Sequence, residues 1–325
     1  MLTANEIQEK VNAYIASLPY NRQPASLYEP IRYVLAAGGK RIRPSFVLMA
    51  YNLFHDDGTD DILPVATALE TYHNYTLLHD DLMDNADVRR GRPTVHRKWN
   101  ANTAILSGDT MLSLAYWHLA KCRPQYLKEA LDLFTLTALE VSEGQQYDME
   151  FETRNDVTEQ EYIEMIRLKT SVLLACALKM GALVAGAPEA DAEALYRFGE
   201  KVGLAFQLQD DWLDVYGDPK VFGKAIGGDI LSNKKTFMLI NAFNLADATT
   251  RRELEHWISA KEFNPQEKIA AVTGIYDRLG IGQLAEKRIQ EYFLESRSIM
   301  DGVNVDEERK TVLRQFTERM MNRKK

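Results

Sequence analysis

The stretch His73–Arg90 reads HNYTLLHDDLMDNADVRR, and the spacing of its charges predicts both an element and a chemistry. Asp80 and Asp84 are four residues apart, so on a helix their carboxylates project from one face, a turn apart. His73 and Thr76 return to nearly the same face, because steps of three, four and seven do so. Like charges at that spacing repel unless a cation sits between them. Arg89 and Arg90 follow closely, and Gly91-Arg92-Pro93 is expected to end the helix just after them. Carboxylates beside guanidiniums suit a metal bound to an anion, most naturally magnesium and phosphate.

A lone DDxxD on an acidic helix is ordinarily a solvated face. Here Leu77, Leu78, Leu82 and Met83 surround the aspartates, and the pattern recurs in GLAFQLQDDWLD. Gln207, Asp210, Asp211 and Asp214 fall at i, i+3, i+4 and i+7 on one helical stripe. Two such helices facing each other across a cavity would be costly without metal.

The composition agrees with an enzyme of this kind. The 325 residues are 46% hydrophobic and 26% charged, with a net charge of −8, which argues against a general nucleic-acid or anionic-membrane binder. Cys122 and Cys176 lack metal-type spacing and predict reduced thiols, hence a cytoplasmic location. The N-terminal MLTANEIQEK lacks a basic and apolar leader pattern. The most apolar stretch, 172–184, contains Lys179 and is too short to span a bilayer.

Taken in order, Thr3 and Glu6 form a capping box ahead of Ile7, Val11, Ile15 and Leu18. Gly38-Gly39-Lys40-Arg41-Ile42-Arg43-Pro44 marks a turn and a new helix, with three cations in four residues able to grip a polyanion. His55-Asp56-Asp57-Gly58 reads as a polar loop. Residues 103–120 read as a core helix with His118 packed or exposed. A helix from Tyr126 is expected to end in Gly144-Gln145-Gln146-Tyr147-Asp148-Met149, with a loop over 150–156, and Thr158-x-x-Glu161 caps the next helix. Spacing alone has Lys169 snorkelling to the surface. Gly217-Asp218-Pro219 ends the second acidic helix; a glycine-rich loop over 223–229 and Asn233-Lys234-Lys235 follow. The last hundred residues show helical patterns without a chemical constellation. No linker, fixed repeat or run of alternating strands occurs, so 1–325 reads as one all-α domain.

No GxxxxGK[ST] phosphate loop is present. Two acidic motifs with cations from several segments instead suit a magnesium–polyphosphate complex, since magnesium combines one or two carboxylates with substrate phosphates. Apolar helices around them suit a greasy substrate that loses diphosphate.

At GGKRIRP (38–44), HDDLMDNADVRRGRPTVH (79–96), GQQYDM (144–149), KT (169–170), FQLQDDWLD (206–214) and GKAIGGDILSNKK (223–235), the chain resembles the trans-isoprenyl diphosphate synthases, the polyprenyl synthetase family, over nearly its whole length. The resemblance implies a single-domain isoprenoid synthase helical bundle around a central cavity, three magnesium ions per active site, and a homodimer with no stable membrane insertion. It implies head-to-tail condensation of isopentenyl diphosphate with allylic prenyl diphosphates. Asp80, Asp84 and Asp210 then match metal ligands, with Asp81, Asp211 and Asp214 in the same clusters. Lys40, Arg43, His73 and Arg90 match positions that hold isopentenyl diphosphate. Arg89, Lys169, Thr170, Gln207, Lys224 and Lys234 match positions around the allylic diphosphate, which overrides snorkelling for Lys169. Thr170 and Gln207 are also expected to steady the allylic cation. The 223–229 loop departs in spacing from some relatives.

In that family the residues just before the first acidic motif floor the elongation pocket. The aromatic Tyr75 at the fifth position before Asp80, with Thr76 at the fourth, implies a C20 product ahead of C15. Tyr75 lies about 7.5 Å along the helix from Asp80, but a straight helical wheel puts Thr76 and Tyr72 nearer the aspartate face, and a kink would reconcile the two. Rival readings are a class I terpene cyclase, which needs no second diphosphate site, and a longer-chain polyprenyl synthase. A head-to-head synthase, an HD-type phosphohydrolase at His79-Asp80 and a non-catalytic partner subunit fit the motifs less well.

Overall fold

A computed structural model describes residues 2–218 and 226–321. It is all-α apart from one two-residue-stranded hairpin. No described helix is long and apolar enough to cross a membrane. Both cysteines are free and buried. By compactness the chain divides into two units, one of Met1–Leu136, Cys176–Tyr196 and Val303–Leu313, the other of Thr137–Ala175, Arg197–Gly302 and Arg314–Lys325.

In the first unit α1 (Ala4–Ala16) starts at the expected capping box, with the Thr3 hydroxyl and the Glu6 carboxylate bonding each other's backbone N–H. After α2 (Ala25–Leu35), α3 (Ile42–Asn52) is buried almost all round. The long α4 (Thr59–Met83) packs against α3 and lies along α6 (Ala101–Leu119). Between them stand the hairpin Val88–Arg89/Arg92–Pro93 and the short α5 (Val95–Lys98). The core centres on Phe46, Leu48, Tyr51, Tyr72 and Phe134, each no more than 2% exposed. Tyr72 meets Phe134 edge-on at 5.3 Å, a geometry that adds about 1 kcal/mol to the area the rings bury. His118 is buried, with Tyr20 Oη 2.5 Å from its Nε2.

In the second unit α8 (Glu159–Ile166) begins at the Thr158–Glu161 capping box. It runs into a π-helical turn, Arg167–Ser171, and then into α9 (Val172–Val184), of which the residues from Cys176 on belong to the first unit. After the second acidic motif come the short α11 (Gly228–Leu231) and then α12 (Phe237–Leu245), α13 (Ala248–Ser259), α14 (Pro265–Leu279) and α15 (Ile281–Asp301). They bury Trp212, Phe237, Leu254, Ile275 and Tyr276 with Tyr162 and Phe151 in one core.

Two helix boundaries differ from the sequence reading. The helix carrying the first acidic motif ends at Met83, seven residues before Arg90. α7 continues through Gly144 to span Pro124–Thr153; a single buried glycine costs a helix only about 1 kcal/mol, and Gly144 sits where a side chain has no room.

Candidate active site

The end of α4 sets the first acidic cluster. Asp84 caps the helix, and Asn85 turns the chain at φ +54°. The Thr94 hydroxyl donates to Ala86 O at 2.7 Å, closing the loop. Arg90 and Gly91 both have positive φ, 53° and 72°, which is the requirement of a two-residue primed hairpin turn. The hairpin folds Arg89 back onto the motif: its Nε donates to Asp81 Oδ1 at 2.6 Å and its Nη2 to Asp80 Oδ2 at 3.3 Å. Asp81 is 6% exposed, and burial raises its carboxyl pKa although Arg89 opposes the shift. Asp80 and Asp84 are the more open pair.

The Gly38–Pro44 segment divides its three cations between structure and site. Arg41, left-handed at φ 47°, caps α3. Its guanidinium is spent inward on Glu70 at 2.6 Å, Leu35 O and Asn12. Both partners of the Arg41–Glu70 pair are 4% exposed, so losing one would strand a buried charge at about 3–5 kcal/mol. Three cations gripping a polyanion was the expectation; Arg41 is removed from that set by burial. Arg43 lies inside the unit with Nε unpaired, and burial, partly offset by Glu70, lowers its pKa to about 10. Arg90 bonds Gly38 O, and its Cζ stands 2.9 Å from where a Cβ of Gly39 would be. His73 is held well below the usual histidine pKa, first by burial and then by Arg43, Arg90, Arg89 and Arg41. Arg43, His73 and Arg90 thus form one electropositive cluster; Lys40 is exposed beside it, its carbonyl accepting from Gln8 at 3.4 Å.

The second unit builds its cluster around the π-turn. A Cβ on Gly144 of α7 would overlap the Lys169 backbone, and one on Gly203 of α10 (Glu189–Tyr216) would lie 2.6 Å from Ser171 Cα. Two glycines therefore let flanking helices approach the bulge that aims Lys169 and Thr170; such bulges recur at functional sites. Lys169 Nζ reaches Asp148 Oδ2 at 2.5 Å and Lys234 Nζ stands 3.7 Å from the same oxygen, so Lys169 does not snorkel. The Thr170 hydroxyl donates to Gln207 Oε1 at 3.2 Å, and Gln207 Nε2 donates to Asp211 Oδ1 at 3.2 Å. Tyr162 Oη donates to the other Asp211 oxygen. Burial, reinforced by Asp229, pushes the Asp211 carboxyl up to about 8. Asp214 Oδ2 accepts from Asp229 N at 2.9 Å. Asp210 is half-buried. Lys224 lies outside the described residues.

Each motif thus has an inward aspartate, Asp81 or Asp211, tied to protein donors, and a more open one, Asp80 or Asp210. The donors are hard carboxylate oxygens, which fit a divalent cation of the magnesium type. Among the described residues no three acidic or imidazole side chains converge into a ready-made cage; magnesium uses few protein ligands and fills its shell with water and phosphate.

Ahead of Asp80, Tyr75 leans away from the acidic face. Its ring meets Tyr72 at 5.5 Å and His79 edge-on at 4.8 Å. His79 is wedged on α6, 3.2 Å from Ile105 O, where a Cβ on Gly108 would overlap its ring. α4 is unbroken here, so the wheel that separates Tyr75 from Asp80 holds. Thr76 Oγ1 bonds back to His73 O at 2.8 Å. The site residues that sequence reasoning assigned no role are Asp148, Tyr162, Asp229, Gly144 and Gly203; the 144–149 motif flagged two of them.

Acidic motifs on two helices, each beside its own cationic cluster, define an all-α enzyme that handles diphosphate esters. The chain belongs to the polyprenyl synthetase family, whose model matches residues 24–276, and is a prenyltransferase. It is 44% identical over 248 residues to a geranylgeranyl diphosphate synthase of Methanosarcina mazei, covering 75% of this chain and 76% of that one. It is 39% identical to a geranylfarnesyl diphosphate synthase of Natronomonas pharaonis, covering 73% and 74%. A solved geranylgeranyl pyrophosphate synthase superposes with a TM-score of 0.95 at 40% identity over 100% of both chains. A Corynebacterium glutamicum geranylgeranyl pyrophosphate synthase, solved with isoprenyl diphosphate and magnesium, superposes with a TM-score of 0.87 at 26% identity over 99% and 98%.

Proposed function

We propose that residues 1–325 act as one catalytic domain that condenses isopentenyl diphosphate head-to-tail with allylic diphosphates, giving geranylgeranyl diphosphate (C20) ahead of farnesyl diphosphate (C15). The carrying observation is that each unit holds its own cationic cluster: Arg43 and Arg90 beside a neutral His73 in one, Lys169 and Lys234 in the other. A condensing enzyme binds two diphosphates, whereas a cyclase binds one. By the family resemblance Lys40 is also assigned to isopentenyl diphosphate, and Arg89 and Lys224 to the allylic diphosphate. Asp80, Asp84 and Asp210, supported by Asp81, Asp211 and Asp214, would hold magnesium, three ions per site, which would supply positive charge to the leaving diphosphate.

Lys169 and Lys234 exchange Asp148 for the allylic diphosphate and stabilise it most as its C–O bond breaks and charge accumulates. Thr170 and Gln207, oriented by Asp211, present oxygens to the allylic cation. The isopentenyl double bond attacks that cation, a C–C bond forms, and the proton lost from the adduct passes to the departing diphosphate. Tyr75 and Thr76 limit product length. The homodimer is carried over from the family resemblance, and the exposed Leu106, Trp117, Leu131 and Leu136 of α6 and α7 are side chains that a second copy would cover. The reduced cysteines support a cytoplasmic enzyme.

Product chromatography after incubation with magnesium, labelled isopentenyl diphosphate and C5, C10 or C15 allylic diphosphates tests the reading. A C20 product is expected. A C25 or longer product would move the length assignment, and hydrocarbon from allylic substrate alone would replace condensation with cyclisation.

A further inference from the structure

Lys268 lies in the first turns of α14 and is 0% exposed. Its Nζ donates to Asn233 Oδ1 at 2.7 Å and approaches Leu231 O at 3.4 Å. The ammonium also stands 4.3 Å from the centroid of the Phe263 ring. These partners are all uncharged. Burial lowers its pKa below the ordinary lysine value, and the positive end of the α14 dipole is close by, which disfavours a cation. A chain that needed only packing here would do better with methionine or leucine, because a charge taken out of water without a counter-charge is costly.

The loop it grips explains the arrangement. After the short helix α11 (Gly228–Leu231), Asn233 turns left-handed at φ 55°, a conformation asparagine tolerates better than most residues. Its Nδ2 is fastened to Ile258 O at 3.1 Å. On one side the loop begins at Asp229, whose N–H bonds Asp214 of the second acidic motif. On the other it delivers Lys234, whose N–H closes on Asp229 O at 2.9 Å and whose Nζ stands by Asp148 and Lys169.

We propose that Lys268 is a positioning residue: by holding Asn233 and Leu231 from inside the unit, it sets where Lys234 meets the allylic diphosphate. This rests on the diphosphate role given to Lys234 above. Asn233 is the hinge of the device, and Lys268 fills both of its requirements at that point, a donor for the side chain and a second for the preceding carbonyl.

The test compares full-length wild type, Lys268→Met, Lys268→Arg and Lys234→Ala with magnesium, measuring KM for geranyl diphosphate, KM for isopentenyl diphosphate, and thermal unfolding. Lys268→Met is expected to raise the geranyl diphosphate KM about tenfold while the isopentenyl diphosphate KM stays within about twofold, with Lys268→Arg restoring part of the loss. Should Lys268→Met not fold, Asn233→Gly, which keeps the left-handed turn but removes the acceptor, is expected to give the same split. Equal weakening of both substrates, or no change in either KM, would overturn the proposal. If Lys234→Ala raises the geranyl diphosphate KM and the Lys268 and Asn233 variants do not, the positioning role alone fails. If Lys234→Ala also leaves that KM unchanged, the assignment of Lys234 falls, and the positioning role with it.

Discussion

Lys169 Nζ lies 2.5 Å from Asp148 Oδ2, 21 positions away in sequence, and Lys234 Nζ stands 3.7 Å from the same oxygen. One carboxylate thus gathers two cations that would otherwise repel. Burial alone would raise the Asp148 pKa, but Lys234 and Lys169 outweigh it and leave it lowered. A lowered carboxylate pKa adds stability above the unfolded value and loses it as pH falls through the folded one. Asp148→Asn is therefore expected to cost about 2 kcal/mol at neutral pH by urea denaturation. The gap to wild type should close as pH drops below the aspartate value of 3.8.

Gly144→Ala puts a methyl group into the Lys169 backbone. Overpacking of this kind costs about 1–3 kcal/mol, and the displaced π-turn should weaken allylic diphosphate binding. Calorimetry and the allylic KM measure the two effects; an unchanged melting temperature would mean that α7 can move aside.

His73 has the opposite pH consequence from a histidine that gains a carboxylate. Its folded pKa lies well below 6.5, through burial and then the neighbouring arginines. As pH falls through 6.5 the unfolded chain takes up a proton that the folded imidazole refuses, so stability falls. His73→Gln is expected to remove up to about 2 kcal/mol of the loss between about pH 7 and about pH 5. Parallel slopes for wild type and variant would exclude His73 as the source.

Asp80→Ala and Asp210→Ala are each expected to lower turnover by about a thousandfold, the scale of losing a preorganised charge at the reacting group, with circular dichroism unchanged. The 3.3 Å approach of Arg89 that Asp80→Ala removes is a partly exposed pair worth less than about 1 kcal/mol. Near-wild-type turnover in either variant would remove the metal assignment from that motif.

Tyr75→Ala opens the space between Tyr72 and His79 and is expected to lengthen the product by at least one five-carbon unit. An unaltered product distribution would place the floor elsewhere, Thr76 being the nearer residue to the aspartate face.

Periodicity and capping rules were enough to read the helices, because each is decided within a turn or two of chain. The Thr3 and Thr158 capping boxes, the buried 172–184 helix and the second acidic stripe all stand as the sequence indicates. The acidic motifs pointed toward a metal-bound diphosphate because two of them recur at helical spacing among apolar residues, where like charges repel. What only the tertiary structure decided is which charges are spent inward. Arg41 looks like a phosphate ligand in GGKRIRP until Glu70, 29 residues away, is found to bury it. Arg89 reads as a helix residue until a hairpin returns it to Asp81. Lys268 belongs to a stretch without any chemical pattern, yet it holds the loop before Lys234. The reason is physical: helix formation depends on near neighbours, whereas the partner of a charge is set by which distant segments packing brings within about 4 Å, where the interaction is strong enough to matter.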